Sequence, residues 1–156
     1  MDPFGVAILC DDVRQEVGGK VSLIGCYGQD MQFAGGTFPM VVAKIGIHVV
    51  ARLPIDRATP PIQLLIYFPG DSDDAPTAKY DFNLPQETQI PQEDLTWPEA
   101  QRSDIDRAHL LRHSVVISPA VINQEGFIRV RMMYGDQRIR LGTLKVHIAN
   151  AASTTP

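Results

Sequence analysis

Residues 40–53, MVVAKIGIHVVARL, set Val41, Ala43, Ile45, Ile47, Val49, Ala51 and Leu53 on one parity and Lys44, Gly46, His48 and Arg52 on the other. A period of two cannot line one face of a helix, whereas it lines one face of a β-strand. The expected strand therefore buries Ile45, Ile47 and Val49 and leaves Lys44 and His48 in water, the parity that avoids desolvating a charge. The same period returns at Ile62, Leu64, Ile66 and Phe68 in PIQLLIYFPG, between prolines and a glycine. Residues 4–10, 20–27 and 114–117, and the two arms around Gly135-Asp136, are further β-rich runs. Twelve prolines and twelve glycines punctuate them. These runs predict a mainly all-β chain, an antiparallel β-sandwich of about seven to eight strands.

One stretch breaks the pattern. Thr96-Trp97-Pro98-Glu99 has the form of a capping box, which predicts one short helix within residues 97–111. Before it, residues 70–96 form a long irregular connection. The 156 residues fit one core, expected to bury about 70% of the unfolded chain's surface. Residues 1–150 are thus read as a single domain and 151–156, AASTTP, as a polar tail.

With 44% hydrophobic and 21% charged residues, the composition is that of a soluble globular protein with no membrane partner. Met1-Asp2-Pro3 supplies no basic n-region, so no signal peptide is expected. Cys10 and Cys26 lack the spacing of a zinc or redox motif and are expected as free, buried thiols. The expected compartment is the cytoplasm, or a virion if the chain belongs to one.

The segment CDDVRQEVGGKVSLIGCYG, residues 10–28, contains the residue types of a phosphate loop without its spacing. Arg14 stands where the first glycine is needed, and Val21 where Ser or Thr must follow the lysine. A hairpin fits better, with Gly18 and Gly19 supplying positive φ and Asp11 and Asp12 closing the first strand, one of them able to pair with Arg14. The following strand should send Val21, Leu23, Ile24 and Tyr27 into the core. Asp71, Asp73 and Asp74 could join Asp11 and Asp12 in a calcium site if two loops converged. Ala75 excludes an EF-hand, a solvated turn is the simpler reading, and no metal or other cofactor is expected.

His109 and His113 have the i, i+4 spacing of helical zinc ligands, but Leu110 stands where the general base is required, so both are read as solvated. His48 and His147 are read as outward-facing strand residues. There is no G-x-S-x-G elbow, C-x-x-C or G-x-G-x-x-G motif to organise a nucleophile, base or cofactor. No catalytic residue is nominated, and the chain is expected not to be an enzyme.

CDDVRQEVGGKVSLIGCYG, together with EGFIRVRMMYGDQRIRLGTLKV, resembles a family of short, uncharacterised bacterial proteins. These open with a strand, a C-D-D-x-R turn and a G-K-x-S-L-I-G strand. The resemblance covers roughly residues 4–68 and 114–147; it implies a compact β-rich domain and carries over no functional residue.

The net charge of -4 is unevenly spread. Residues 71–100 hold one Lys/Arg against eight Asp/Glu, and residues 101–156 hold eight against four. In the last hairpin a turn at Gly135-Asp136 pairs Tyr134 with Gln137, Met132 with Ile139 and Val130 with Leu141. Arg129, Arg131, Arg138 and Arg140 then share the opposite face, with Arg131 directly across from Arg140, and are the candidate contacts for an anion or partner. An acidic chain without aromatics interleaved among these arginines is not a nucleic-acid binder by pattern. The expected function is a non-enzymatic interaction or assembly module, self-associating or seated in a larger protein particle such as a phage or virus-like one. The alternative is a small-ligand or calcium-dependent binding domain with its site at a loop end.

Overall fold

The structure is a computed structural model that describes residues 2–54, 60–83 and 108–149. Eleven strands run through them: β1 (Phe4–Gln15), β2 (Val21–Cys26), β3 (Asp30–Phe33), β4 (Met40–Val42), β5 (Ile45–Pro54), β6 (Ile62–Tyr67), β7 (Ala78–Phe82), β8 (Ala108–Ile117), β9 (Ala120–Ile122), β10 (Gly126–Tyr134) and β11 (Gln137–Ile148). The fold is all-β. It exceeds the seven or eight strands expected because β3, β4 and β9, three or four residues each, are too short to show a period, and because β7 forms within the 70–96 stretch read as an irregular connection.

The strands form a four-stranded sheet in the order β2-β1-β5-β8, a five-stranded sheet in the order β3-β11-β10-β6-β7, and the two-stranded β4-β9. Pairing is antiparallel except between β3 and β11, which run parallel, so the five-stranded sheet is mixed rather than purely antiparallel. Within 97–111, where one short helix was expected, the described residues are strand. Residues 108–111 belong to β8, held by Pro54↔Ala108 through Ala51↔Leu111, while 97–107 lie outside the described residues, as does the tail 151–156. Among the described residues no helix is long and apolar enough to cross a membrane.

Both larger sheets contribute to one hydrophobic cluster. Ile45, Ile47, Val49, Ala51 and Leu53 of β5 meet Ile62, Leu64 and Ile66 of β6, Ile128, Val130 and Met132 of β10, and Leu141, Leu144 and Val146 of β11. Side chains of this size each contribute about 1.5–3 kcal/mol when fully buried, and no polar or charged residue among those described is buried with them. The parity expected for residues 45–53 is therefore the observed one. The run is not a single strand, however: it breaks at Ala43-Lys44, and β4 leaves to pair with β9.

The first hairpin also differs from expectation. β1 does not stop at Asp11-Asp12 but continues to Gln15, and Glu16 N–H donates to the Lys20 carbonyl at 2.8 Å across the turn. Gly18 and Gly19 do supply the positive φ angles, +79° and +72°. β2 is an edge strand, so Val21, Leu23 and Tyr27 are only half-buried and Ile24 is exposed rather than in the core. Cys10 is buried, whereas Cys26, directly opposite it, is exposed; both thiols are free.

The last hairpin has the expected turn and the expected Arg131↔Arg140 pair, but Val130 faces Gly142 instead of Leu141, because a bulge shifts the register between Val130 and Arg131. The extra residue switches the buried parity of β11 from odd, at Leu141, to even, at Leu144 and Val146. It also sets Gly142 against β1, where a β-carbon would lie 2.9 Å from the Ala7 carbonyl oxygen.

Candidate interaction surfaces

Each cross-strand pair shares a face, so register fixes what the outer side of the five-stranded sheet presents. Arg140, Arg131, Leu65 and Lys79 form one row across β11, β10, β6 and β7, and Thr143, Arg129 and Tyr67 form the next. Tyr67 is fully buried although it lies on this outward face. The guanidiniums cover it: Arg129, Arg131 and Arg138 lie 4.7, 5.6 and 5.9 Å from its ring centroid. Long stems shield the ring while the charged heads use its π-face.

One carboxylate organises these three. Asp73 accepts from Arg129 at 3.0 Å and Arg138 at 2.9 Å and lies 3.6 Å from Arg131. Its backbone carbonyl accepts from the Tyr67 hydroxyl at 3.0 Å. The Arg138 hydrogen bond, assisted by Arg131 and Arg129, holds the Asp73 carboxyl below the usual carboxylate range. Burial and the neighbouring Arg138 and Arg129 pull Arg131 below the usual guanidinium value, against the opposing effect of Asp73. Arg140, exposed on β11, makes no hydrogen bond or ion pair among the described residues. It lines a groove of about 280 Å³ with Arg129, Arg131, Thr143 and the half-exposed Phe127.

The acidic candidates have separate partners. Asp71 is a turn organiser: one carboxylate oxygen accepts from Phe68 N–H (2.8 Å), Thr77 N–H (2.9 Å) and Thr77 Oγ1 (2.6 Å). Asp74 is exposed in the same turn. Asp11 accepts from the Tyr27 hydroxyl, and this bond, added to burial, raises the Tyr27 pKa. Asp12 pairs with Lys44 at 2.8 Å and, as the sequence suggested, with Arg14 at 3.3 Å; Lys44 contributes most to lowering its pKa. Among the described residues no three Asp, Glu, His or Cys side chains come together to hold a metal ion.

The histidines fall out differently. His113 is not solvated but half-buried, its ring 5.2 Å from Tyr80 and 4.9 Å from Phe82, and burial lowers its pKa. His147 pairs with Asp30 at 2.8 Å. His48 faces outward and its Nδ1 lies 2.8 Å from the Ser114 hydroxyl directly across on β8. Burial, then Arg112, lowers its pKa. A serine and a neutral histidine within reach are two members of a nucleophilic triad, but no carboxylate bonds to His48 among the described residues, so the imidazole has no anchor for the charge it would gain.

A second surface was missed from sequence. The outer face of β2-β1-β5-β8 carries Phe4↔Arg52↔Leu110, Val6↔Val50↔Arg112, Ile8↔His48↔Ser114 and Cys10↔Gly46↔Val116 as successive rows. Phe4 (53%), Val6 (51%), Leu110 (46%) and Val116 (45%) are exposed there. The available signal was FGVAILC, apolar at both parities: the odd residues Ala7 and Leu9 face the core, so Phe4, Val6 and Ile8 are left on the other side.

No family model, curated protein or solved structure matches the chain.

Proposed function

We propose that this chain is a non-enzymatic interaction module of β-sandwich architecture that assembles with a second copy of itself through the outer face of β2-β1-β5-β8. The observation that carries the reading is the exposed apolar row Phe4, Val6 and Ile8 along β1, with Leu110 and Val116 exposed on β8 of the same face. Patches of this kind on a folded domain mark interaction sites, because leaving them in water forfeits about 25 cal/mol per Å². A two-fold axis lying in the interface, parallel to the two sheets, lays each copy's patch on the other's, an isologous contact.

Sedimentation across a concentration series tests it. A dimer is expected that persists as salt rises from about 50 to 500 mM, since burial of apolar area, unlike a field between exposed charges, is not screened. Val6→Lys with Ile8→Lys, both at outward positions, should yield a folded monomer. A monomer in the parent chain, or a dimer indifferent to both substitutions, defeats the reading. Mass beyond a dimer supports assembly through this face only if the same two substitutions abolish it.

A further inference from the structure

We propose that the groove between β10 and β11 on the opposite, five-stranded sheet binds the phosphoryl group of a small phosphomonoester that carries a flat apolar substituent. Arg131 and Arg140 face each other directly across the two strands, an arrangement that is unfavourable unless an anion stands between or above them. Among the described residues only Asp73 approaches the pair, from the Arg131 side. Asp73 sits 3.6 Å from Arg131 and is hydrogen-bonded to Arg129 and Arg138 instead. Arg140 has no partner among the described residues, and the Asp71 carboxylate is turned toward Phe68 and Thr77.

Charge decides the ligand class. Three guanidiniums, Arg129, Arg131 and Arg140, line the groove, and no carboxylate is among its described lining residues. A carboxylate ligand brings −1, whereas a phosphomonoester brings about −1.5 to −2 at neutral pH with three acceptor oxygens. Guanidinium forks match that geometry with paired, charge-assisted hydrogen bonds. Thr143, across from Arg129, adds a hydroxyl to the same groove. The remaining wall is apolar: Phe127, 51% exposed, offers a ring face beside the cations. A volume of about 280 Å³ accommodates a phosphoryl group and one ring.

The test is titration of the full chain with phenyl phosphate, inorganic phosphate and phenylacetate at fixed ionic strength, followed by amide chemical shifts in residues 126–143. Phenyl phosphate should bind saturably, about tenfold more tightly than phenylacetate, the scale of one further charged hydrogen bond. Arg140→Gln should weaken it about tenfold and Arg131→Gln at least as much. If Arg131→Gln does not fold, Arg140→Gln and Thr143→Val, both at exposed positions, carry the comparison. Phe127→Ala should bring phenyl phosphate down to the level of inorganic phosphate while leaving the latter unchanged. The proposal is overturned by absence of saturable shifts with both phosphates, by binding that survives Arg140→Gln, or by phenylacetate binding as tightly as phenyl phosphate. Insensitivity of phenyl phosphate to Phe127→Ala overturns the apolar substituent. None of these readouts depends on whether the opposite sheet self-associates.

Discussion

The ring of Phe82 lies 4.9 Å from the imidazole of His113, nearly edge-on at 74°, so a strand of one sheet is tied to a strand of the other through a titratable group. Burial there disfavours the imidazolium, and His113 titrates below its usual value. In the unfolded chain it takes up a proton near pH 6.5. Between that value and the lower folded one the unfolded state holds more protons, so stability is complete above about pH 6.5 and falls as the pH drops through that window. His48 is shifted in the same direction and adds to the slope. The melting temperature should decline from pH 7 to 5, and His113→Phe should flatten the decline. Asp12 and Asp73, whose pKa values are lowered, lose their contribution only in more acidic solution, below their unfolded value near pH 3.9. An unchanged slope in His113→Phe would show that the ring contact does not keep the imidazole neutral.

Gly19 and Gly142 should both resist alanine, for different reasons. At Gly19 φ is +72° with nothing within 4 Å of the added carbon, so the cost is conformational, about 1–2 kcal/mol. At Gly142 the added carbon meets the Ala7 carbonyl oxygen at 2.9 Å and the Ala7 side chain at 3.2 Å, and β1 must move away from β11. That overpacking should cost about 1–3 kcal/mol. Gly19→Asn, which tolerates the left-handed region, should recover part of the loss, whereas Gly142→Asn should be worse than Gly142→Ala. Urea unfolding of the four variants checks the contrast.

Most of the inner face was legible because β5 and β6 keep their parity without interruption from Ile45 to Leu53 and from Ile62 to Phe68. The bulge at Val130/Arg131 was not, since inserting one residue leaves the turn and the Arg131↔Arg140 pair intact and shows only as a change of parity further along β11. Of the stretch 97–111 in which a short helix was expected, residues 108–111 instead pair with β5, whose partners a local signal such as a capping box does not reveal, while the box itself at 96–99 lies outside the described residues. The four arginines were legible as a face, but Tyr67 beneath three of them was not: its parity marks it as outward, and only the folded turn at 71–77 brings Asp73 over it.

Ile47 has no exposed surface and is packed in the core, while Val17 in the first turn is 95% exposed. Truncation of both to alanine removes apolar atoms from opposite environments. Ile47→Ala should destabilise by about 2–5 kcal/mol, and Val17→Ala by less than about 0.5 kcal/mol. Similar values in chemical denaturation would place residue 47 outside the core.

The two cysteines should differ in reactivity although they face each other across β1 and β2. Cys10 is buried, and its Sγ points at the carbonyl oxygens of Asp12 (3.2 Å) and Gly46 (3.6 Å). Burial, followed by the influence of Cys26, pushes its thiol above the usual value. The thiolate is the reactive form, so Cys10 is both shielded and held protonated. Cys26 is exposed. A soluble disulfide reagent at pH 8 should therefore modify one thiol per chain quickly and the second only as fast as the β1–β2 hairpin opens. Cys26→Ser should remove the fast phase and leave the slow one, and Cys10→Ser the reverse. Two fast thiols in the native chain would mean that β2 does not hold its edge position over Cys10.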